Sequence, residues 1–219
     1  MWPRVSEGIM SGLMRKCVLA AVLSATSIFA KGKDSPALRI LLDESSPGKS
    51  VAILTADPAK SISVGFGKKG VLDEGQSFRG NYSLLGTFRI NAILSPTRFE
   101  MTEELVADSG RSRDWLKENL FANMSSIDFD GDGRGGEYGD GFVGLEPVGS
   151  TSEQPFHFGE YRGVFRWYSY AIHGTQDEAR VGKMITGGCL NVRKKDLRLL
   201  LESLKVGDFV RVELFREQE

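Results

Sequence analysis

The run "MITGGCLNVRKKDLRLLLESLKVGDFVRVELF", Met184 to Phe215, places a cysteine after two glycines and follows it with an amphipathic segment and an alternating one. Within "KKDLRLLLESLK" (Lys194 to Lys205), Leu197, Leu200, Leu201 and Leu204 recur at helical spacing and define one apolar face. Gly207 stops this helix. "DFVRVELF" (Asp208 to Phe215) then sets Val210, Val212 and Leu214 on one side, the pattern of a half-buried strand. Upstream, "LRILL" (Leu38 to Leu42), "SVAILT" (Ser50 to Thr55), "SISVGFG" (Ser61 to Gly67), "GTFRINAIL" (Gly86 to Leu94) and "GVFRWYSYAIHG" (Gly163 to Gly174) are rich in β-branched and aromatic residues and bounded by turn formers. These read as strands. "SRDWLKENLFANM" (Ser112 to Met124) has Trp115, Leu116, Leu120 and Met124 near helical spacing. With its flanks, residues 95–160, it reads as a long loop and helix insertion. The expected fold is a mainly β domain, a sandwich or open barrel with about two helices.

The N-terminus bounds the context. Met14-Arg15-Lys16 opens a basic stretch, "CVLAAVLSATSIF" (Cys17 to Phe29) is apolar, and Ala30 precedes the polar "KGKDSP". Residues 1–30 read as a secretory signal peptide, too short in its apolar run for a membrane span of about 20 residues. A polar leader is expected over 31–49 and one domain over 50–215, a length that supports a single core. The chain is nearly neutral, with 28 basic and 29 acidic residues. Nothing in that balance points to nucleic acid, which is not expected as a partner, and contact with the membrane is expected only through the signal segment. Cleavage removes Cys17 and leaves Cys189 as the sole cysteine, so no internal disulfide can form. A single thiol outside the cytoplasm is either buried and inert or kept for reaction.

The sequence has two histidines, His157 and His173. His173 ends a strand, and sixteen positions separate it from Cys189. If the intervening residues loop back, imidazole and thiol meet at one strand end, as nucleophilic thiol chemistry requires. Gly187 and Gly188 allow the backbone close to a substrate, and the Gly188 and Cys189 N–H groups are candidates for an oxyanion site.

"HGT" (His173 to Thr175) with "TGGCLN" (Thr186 to Asn191) resembles the signature of the L,D-transpeptidase (YkuD-type) family: a His-Gly pair, a loop, then Ser/Thr-His-Gly-Cys-apolar-Asn. Thr186, Gly188, Cys189, Leu190 and Asn191 match, whereas Gly187 stands where the family has histidine. "SLLGTFRI" (Ser83 to Ile90), "WYSYAIHGT" and the C-terminal helix, turn and strand resemble further parts of that family. The resemblance implies an exported acyl-transferase of the periplasm or cell envelope that acts on peptidoglycan stem peptides as a monomer without a cofactor. It implies Cys189 as nucleophile and His173 as proton acceptor and donor. The Gly174 carbonyl would orient the imidazole, Thr186 and Asn191 would contact substrate, and Arg193 or Arg166 would hold a substrate carboxylate. His157 is a candidate for the place of the missing histidine. Hydrolysis on the same scaffold, or a weakened wall-binding module, are the alternative readings.

"DFDGDGRGGEYGDG" (Asp128 to Gly141) opens like a calcium loop, with Asp128, Asp130 and Asp132 alternating before Gly133. The closing glutamate is absent, since Gly139 stands at its place, and a solvated glycine-rich loop is the favoured reading. "NYS" at Asn81 and "NMS" at Asn123 match a glycosylation sequon that a bacterial protein would not use.

Overall fold

A computed structural model of the protein describes residues 35–128, 133–149 and 157–215. The expected signal segment, Asp130 and Asp132 lie outside the described residues. The unit Pro36–Glu219 carries, in chain order, β1 (Leu38–Leu42), β2 (Val51–Leu54), β3 (Asp57–Ser63), β4 (Phe66–Gly67), β5 (Val71–Leu72), β6 (Ser83–Leu84), β7 (Gly86–Leu94), β8 (Phe99–Met101), α1 (Glu103–Asp108), α2 (Arg113–Ser125), β9 (Phe142–Pro147), β10 (His157–Tyr161), β11 (Val164–Tyr168), β12 (Tyr170–His173), β13 (Met184–Thr186), β14 (Leu190–Asn191), α3 (Lys194–Ser203) and β15 (Phe209–Leu214). Among the described residues no helix is long and apolar enough to cross a membrane.

Among those residues, nine strands form one sheet in the order β14-β12-β9-β7-β15-β1-β2-β3, with β8 added to β7. The sheet curls into an open barrel, the fold class that the strand pattern predicts. Its edges are stitched near the site: Gly65, just past β3, exchanges two 2.9 Å backbone hydrogen bonds with Asn191 of β14.

Alternation along the strands sends side chains to two cores. On one face Ile40, Phe88, Val143, Tyr170, Ile172 and Leu190 pack against Leu197, Leu200 and Leu204 of α3. On the other face Leu94, Phe142, Trp167 and Ala171 pack against Leu116, Leu120 and Met124 of α2. Ser112 caps α2 by accepting from the Trp115 amide at 3.2 Å. In β7 an irregularity between Ile90 and Ala92 shifts the phase, so that Ala92 and Leu94 join the second core.

Three differences from the sequence reading have local causes. The strand read at Leu38–Leu42, placed within the expected leader, belongs to the main sheet: β1 lies between β15 and β2, with Leu38, Ile40 and Leu42 buried. The 95–160 stretch contributes β9 to the middle of the sheet. Its first four residues are all buried, so "FVGLEP" carries no alternation to mark it as a strand. The short helix α1 is present beside the two expected, and the run Gly163 to Gly174 divides at Ser169 into β11, which pairs with β10, and β12, which joins the main sheet.

Gly144 in β9 exists for space. A Cβ there would meet Asn91 Oδ1 and lie 2.7 Å from Trp167 Cη2. Gly144→Ala is therefore expected to destabilise the protein by about 1–3 kcal/mol through overpacking, read as a lower denaturation midpoint in urea. An unchanged midpoint would mean that Trp167 relaxes freely.

Candidate functional site

β12 and β14 run parallel, pairing Ile172 with Leu190 and His173 with Asn191. Paired residues share a face, and Cys189 is two residues before Asn191, so Ala171, His173, Cys189 and Asn191 all belong to the α2 face. There His173 and Cys189 line one cavity of about 400 Å³ with Asn191, Thr186, Gly187, Lys68, Phe78, Tyr138, Trp167, Tyr168 and Arg180 among its walls.

The cysteine turn is built from its own side chains. The Thr186 hydroxyl donates to the Cys189 carbonyl at 2.6 Å and accepts from the Gly188 amide at 3.1 Å. Gly188 has φ +131°, and a Cβ on it would lie 2.7 Å from the Tyr82 carbonyl, so only glycine fits. Its own carbonyl accepts from Ser83 Oγ at 2.6 Å, and the Gly187 carbonyl accepts from the Asn81 amide at 2.7 Å. Gly187 differs from its neighbour: it has no positive φ, and a Cβ there would meet nothing within 4 Å.

The Gly174 carbonyl accepts from His173 Nδ1 at 2.6 Å. This places the proton of the neutral ring on Nδ1 and leaves Nε2 with its lone pair. The His173 ring also meets the Tyr138 ring edge to face, with centroids 4.7 Å apart. The Cys189 thiol lies 3.6 Å from the Ser169 carbonyl. Both side chains are half-buried, reached through the cavity mouth but surrounded by protein. Desolvation dominates their ionisation. It pushes the thiol up to about 11, against the opposing pull of the Ala171 amide. It also pushes His173 down to about 4, helped by the Arg180 charge and opposed by the Gly174 hydrogen bond. At rest both groups are neutral.

The remaining expected residues are dispersed. Arg193 is the N-cap of α3 and Arg166 is buried between β11 and α2, donating to the Asn123 carbonyl and to Ser126 Oγ; neither lines the cavity. His157 is exposed and stacked on Tyr168 at 4.9 Å, outside the lining. The Gly188 amide is engaged by Thr186. Asp128 accepts from the Gly133 amide at 2.9 Å, and among the described residues no cluster of His, Cys, Asp or Glu is arranged to hold a metal ion. The cavity cations are instead Arg180 and Lys68, and its aromatic walls include Tyr138 and Trp167. Sequence reasoning missed Arg180, Lys68 and Tyr138 because they come from turns with no shared motif, whereas Trp167 opens the "WYSYAIHGT" stretch.

Among solved structures the chain is similar to an L,D-transpeptidase from Mycobacterium smegmatis at 11% identity, covering 81% of this chain and 59% of that one, with a TM-score of 0.40. L,D-transpeptidase 3 from Mycobacterium tuberculosis, in complex with a faropenem-derived adduct, matches at 12% identity, 82% and 61% coverage and a TM-score of 0.41. An L,D-transpeptidase from Xylanimonas cellulosilytica matches at 12%, with 83% and 62% coverage and a TM-score of 0.36. The chain thus spans about three-fifths of the length of these solved chains. No curated protein matches. The family model of the L,D-transpeptidase catalytic domain (YkuD) matches residues 52–212, about three-quarters of the sequence and every element from β2 to Val212 of β15, and the chain belongs to that family.

Proposed function

We propose that the protein is an exported cysteine acyl-transferase that acts on peptidoglycan stem peptides, with Cys189 as nucleophile and His173 as base. The observation that carries this reading is the β12–β14 pairing, which sets thiol and imidazole on one sheet face in one cavity, with Nδ1 held by Gly174 and Nε2 left to accept. In the first half-reaction the Cys189 sulfur attacks the carbonyl of the stem diamino acid while its proton passes to His173 Nε2. The tetrahedral oxyanion is stabilised by the Cys189 amide, because the Gly188 amide is already used by Thr186. Collapse expels the terminal D-alanine, whose nitrogen takes the proton from His173, and leaves a thioester. An acceptor amine then attacks that carbonyl, gives its proton to Nε2, and the thiol is regenerated with the cross-link formed. With water as acceptor the product is a trimmed stem. Arg180 and Lys68, on the cavity wall, are the cations that meet substrate carboxylates in this scheme.

Intact-protein mass spectrometry after incubation with a carbapenem is expected to show one covalent adduct on the wild type and none on Cys189→Ala. A wild type that stays unmodified would favour a binding module. His173→Ala is expected to reduce acylation by about 10²–10⁴-fold, the usual worth of a general base, and His157→Ala to leave it nearly unchanged. Comparable losses would put His157 in the site.

The raised thiol and depressed imidazole fix the direction of the pH dependence. Thiolate forms only toward alkaline pH, so alkylation of Cys189 by iodoacetamide should keep climbing past pH 9, with no step near the ordinary histidine range. Gly187 has open space and an ordinary backbone, so Gly187→His is expected to fold and to lower the apparent alkylation pKa by supplying a second imidazole. A folded Gly187→His protein with an unchanged profile would show that His173 and the backbone amides suffice.

A further inference from the structure

The glycine-rich stretch after α2 sits directly on the base. Gly136 to Gly139 make a tight turn, closed by the Gly139 amide donating to the Gly136 carbonyl at 2.7 Å, and the Gly136 amide donates back to the Ser125 carbonyl at the end of α2. Gly139 has φ +60°, and a Cβ there would lie 2.8 Å from the Thr175 nitrogen. The turn is therefore seated against His173-Gly174-Thr175 without room for a side chain. It is fastened on both flanks, by Glu137 to Arg180 at 3.8 Å and by Asp140 to Lys194 of α3 at 3.0 Å. From this seat the buried Tyr138 ring reaches the imidazole edge to face, its plane inclined at 70° to it, and it also meets Phe142, with centroids 5.5 Å apart.

One hydrogen bond from Nδ1 selects a tautomer but does not by itself hold the ring against rotation or keep water from it. A second, apolar contact does both. We propose that Tyr138 is a positioning residue for His173: its ring, locked in place by the Gly136–Gly139 turn, fixes the imidazole so that Nδ1 stays on Gly174 and Nε2 is the nitrogen presented to the thiol. The proposal rests on the reading of His173 as base. Among the described residues, the titratable groups that share the cavity with His173 are Tyr138, in ring contact with it, and Glu137 from this turn, Arg180 from the turn before β13, Cys189, Tyr168 and Lys68. Tyr138 is itself held neutral by burial, so it acts here as a ring and not as a charge.

The test uses full-length protein labelled with ¹⁵N-histidine, which contains only His157 and His173 to assign. In the wild type the His173 nitrogens are expected to report a single neutral tautomer, protonated on Nδ1 and persisting well below pH 6. In Tyr138→Leu they should report mixed tautomers and a titration moved upward by about one pH unit or more as water enters. Carbapenem acylation of Cys189 should then fall about tenfold or more, since a mispositioned base loses most of its contribution. Tyr138→Phe keeps the ring and should retain the wild-type spectrum and rate. Gly139→Ala, which lifts the turn while keeping the tyrosine, should reproduce the leucine phenotype and stands in for it if Tyr138→Leu melts below the assay temperature. An unchanged tautomer and titration in the folded leucine variant overturns the proposal, as does a phenylalanine variant as impaired as leucine. Mixed tautomers in the wild type overturn it without any mutant. Failure of the wild type to acylate while the spectra behave as expected would remove the enzymatic reading and leave the ring contact standing.

Discussion

The site depends on one pairing, the parallel register of β12 with β14. Parallel neighbours cannot be joined by a tight hairpin; the chain must leave one strand end, cross, and return to the start of the next, which takes a dozen or more residues. The sixteen positions from His173 to Cys189 are that crossover, and they hold a short helical turn at Glu178–Arg180 and β13. The spacing of the proposed nucleophile and base is thus a consequence of topology. Register does the rest: a one-residue slip would send Cys189 to the α3 face and leave His173 without a partner. The bridge between Gly65 and Asn191 guards against that slip, because it ties β14 to the far edge of the curled sheet through two backbone hydrogen bonds.

The two faces of the sheet have different duties. The α3 face is a continuous apolar core with Leu197, Leu200 and Leu204 fully buried, and it anchors the strands that carry the site. On the α2 face the packing is interrupted by the cavity, with Trp167 and Tyr138 in its lining, Phe142 packed against both, and Cys189 at the boundary of the second core. Burial there depends on residues 95–160, which contribute α2, the Gly136–Gly139 turn and β9. The dryness that shifts both ionisable groups is therefore supplied largely by the stretch whose sequence is least like a regular element.

What could be read from the sequence follows from how local each signal is. β1, β7, α3 and β15 are found within a residue or two because alternation or helical spacing is written into consecutive positions. β9 is not, since a strand buried on both faces and holding a glycine and a proline lacks both alternation and β-branched density. His173, Cys189 and Thr186 stand out through a motif. Tyr138, Arg180 and Lys68 do not, because what brings them to the cavity is the curl of the sheet and the seating of one turn. The two arginines selected by sequence, Arg166 and Arg193, lie near the motif along the chain, yet one bonds to the end of α2 and the other begins α3. Proximity in sequence was a poor guide once the chain had crossed.

A neutral thiol sharing a cavity with a neutral imidazole is an unusual resting state for a nucleophile, and it has a physical logic. With the thiol held up to about 11, only about one molecule in ten thousand carries a thiolate at pH 7. The thiolate is the species that oxidants attack, so an enzyme exported in the manner proposed above keeps the Cys189 thiol in the form that resists sulfenic acid formation. Reactivity is not lost, because a thiol of high pKa yields a more nucleophilic sulfur when its proton is removed during attack. In the proposed scheme that removal falls to a neutral base already in place, and burial and the Gly174 carbonyl hold His173 neutral with its proton on Nδ1. The same desolvation thus holds both groups neutral, and it comes from the protein packed around them, the Tyr138 and Trp167 walls of the cavity included.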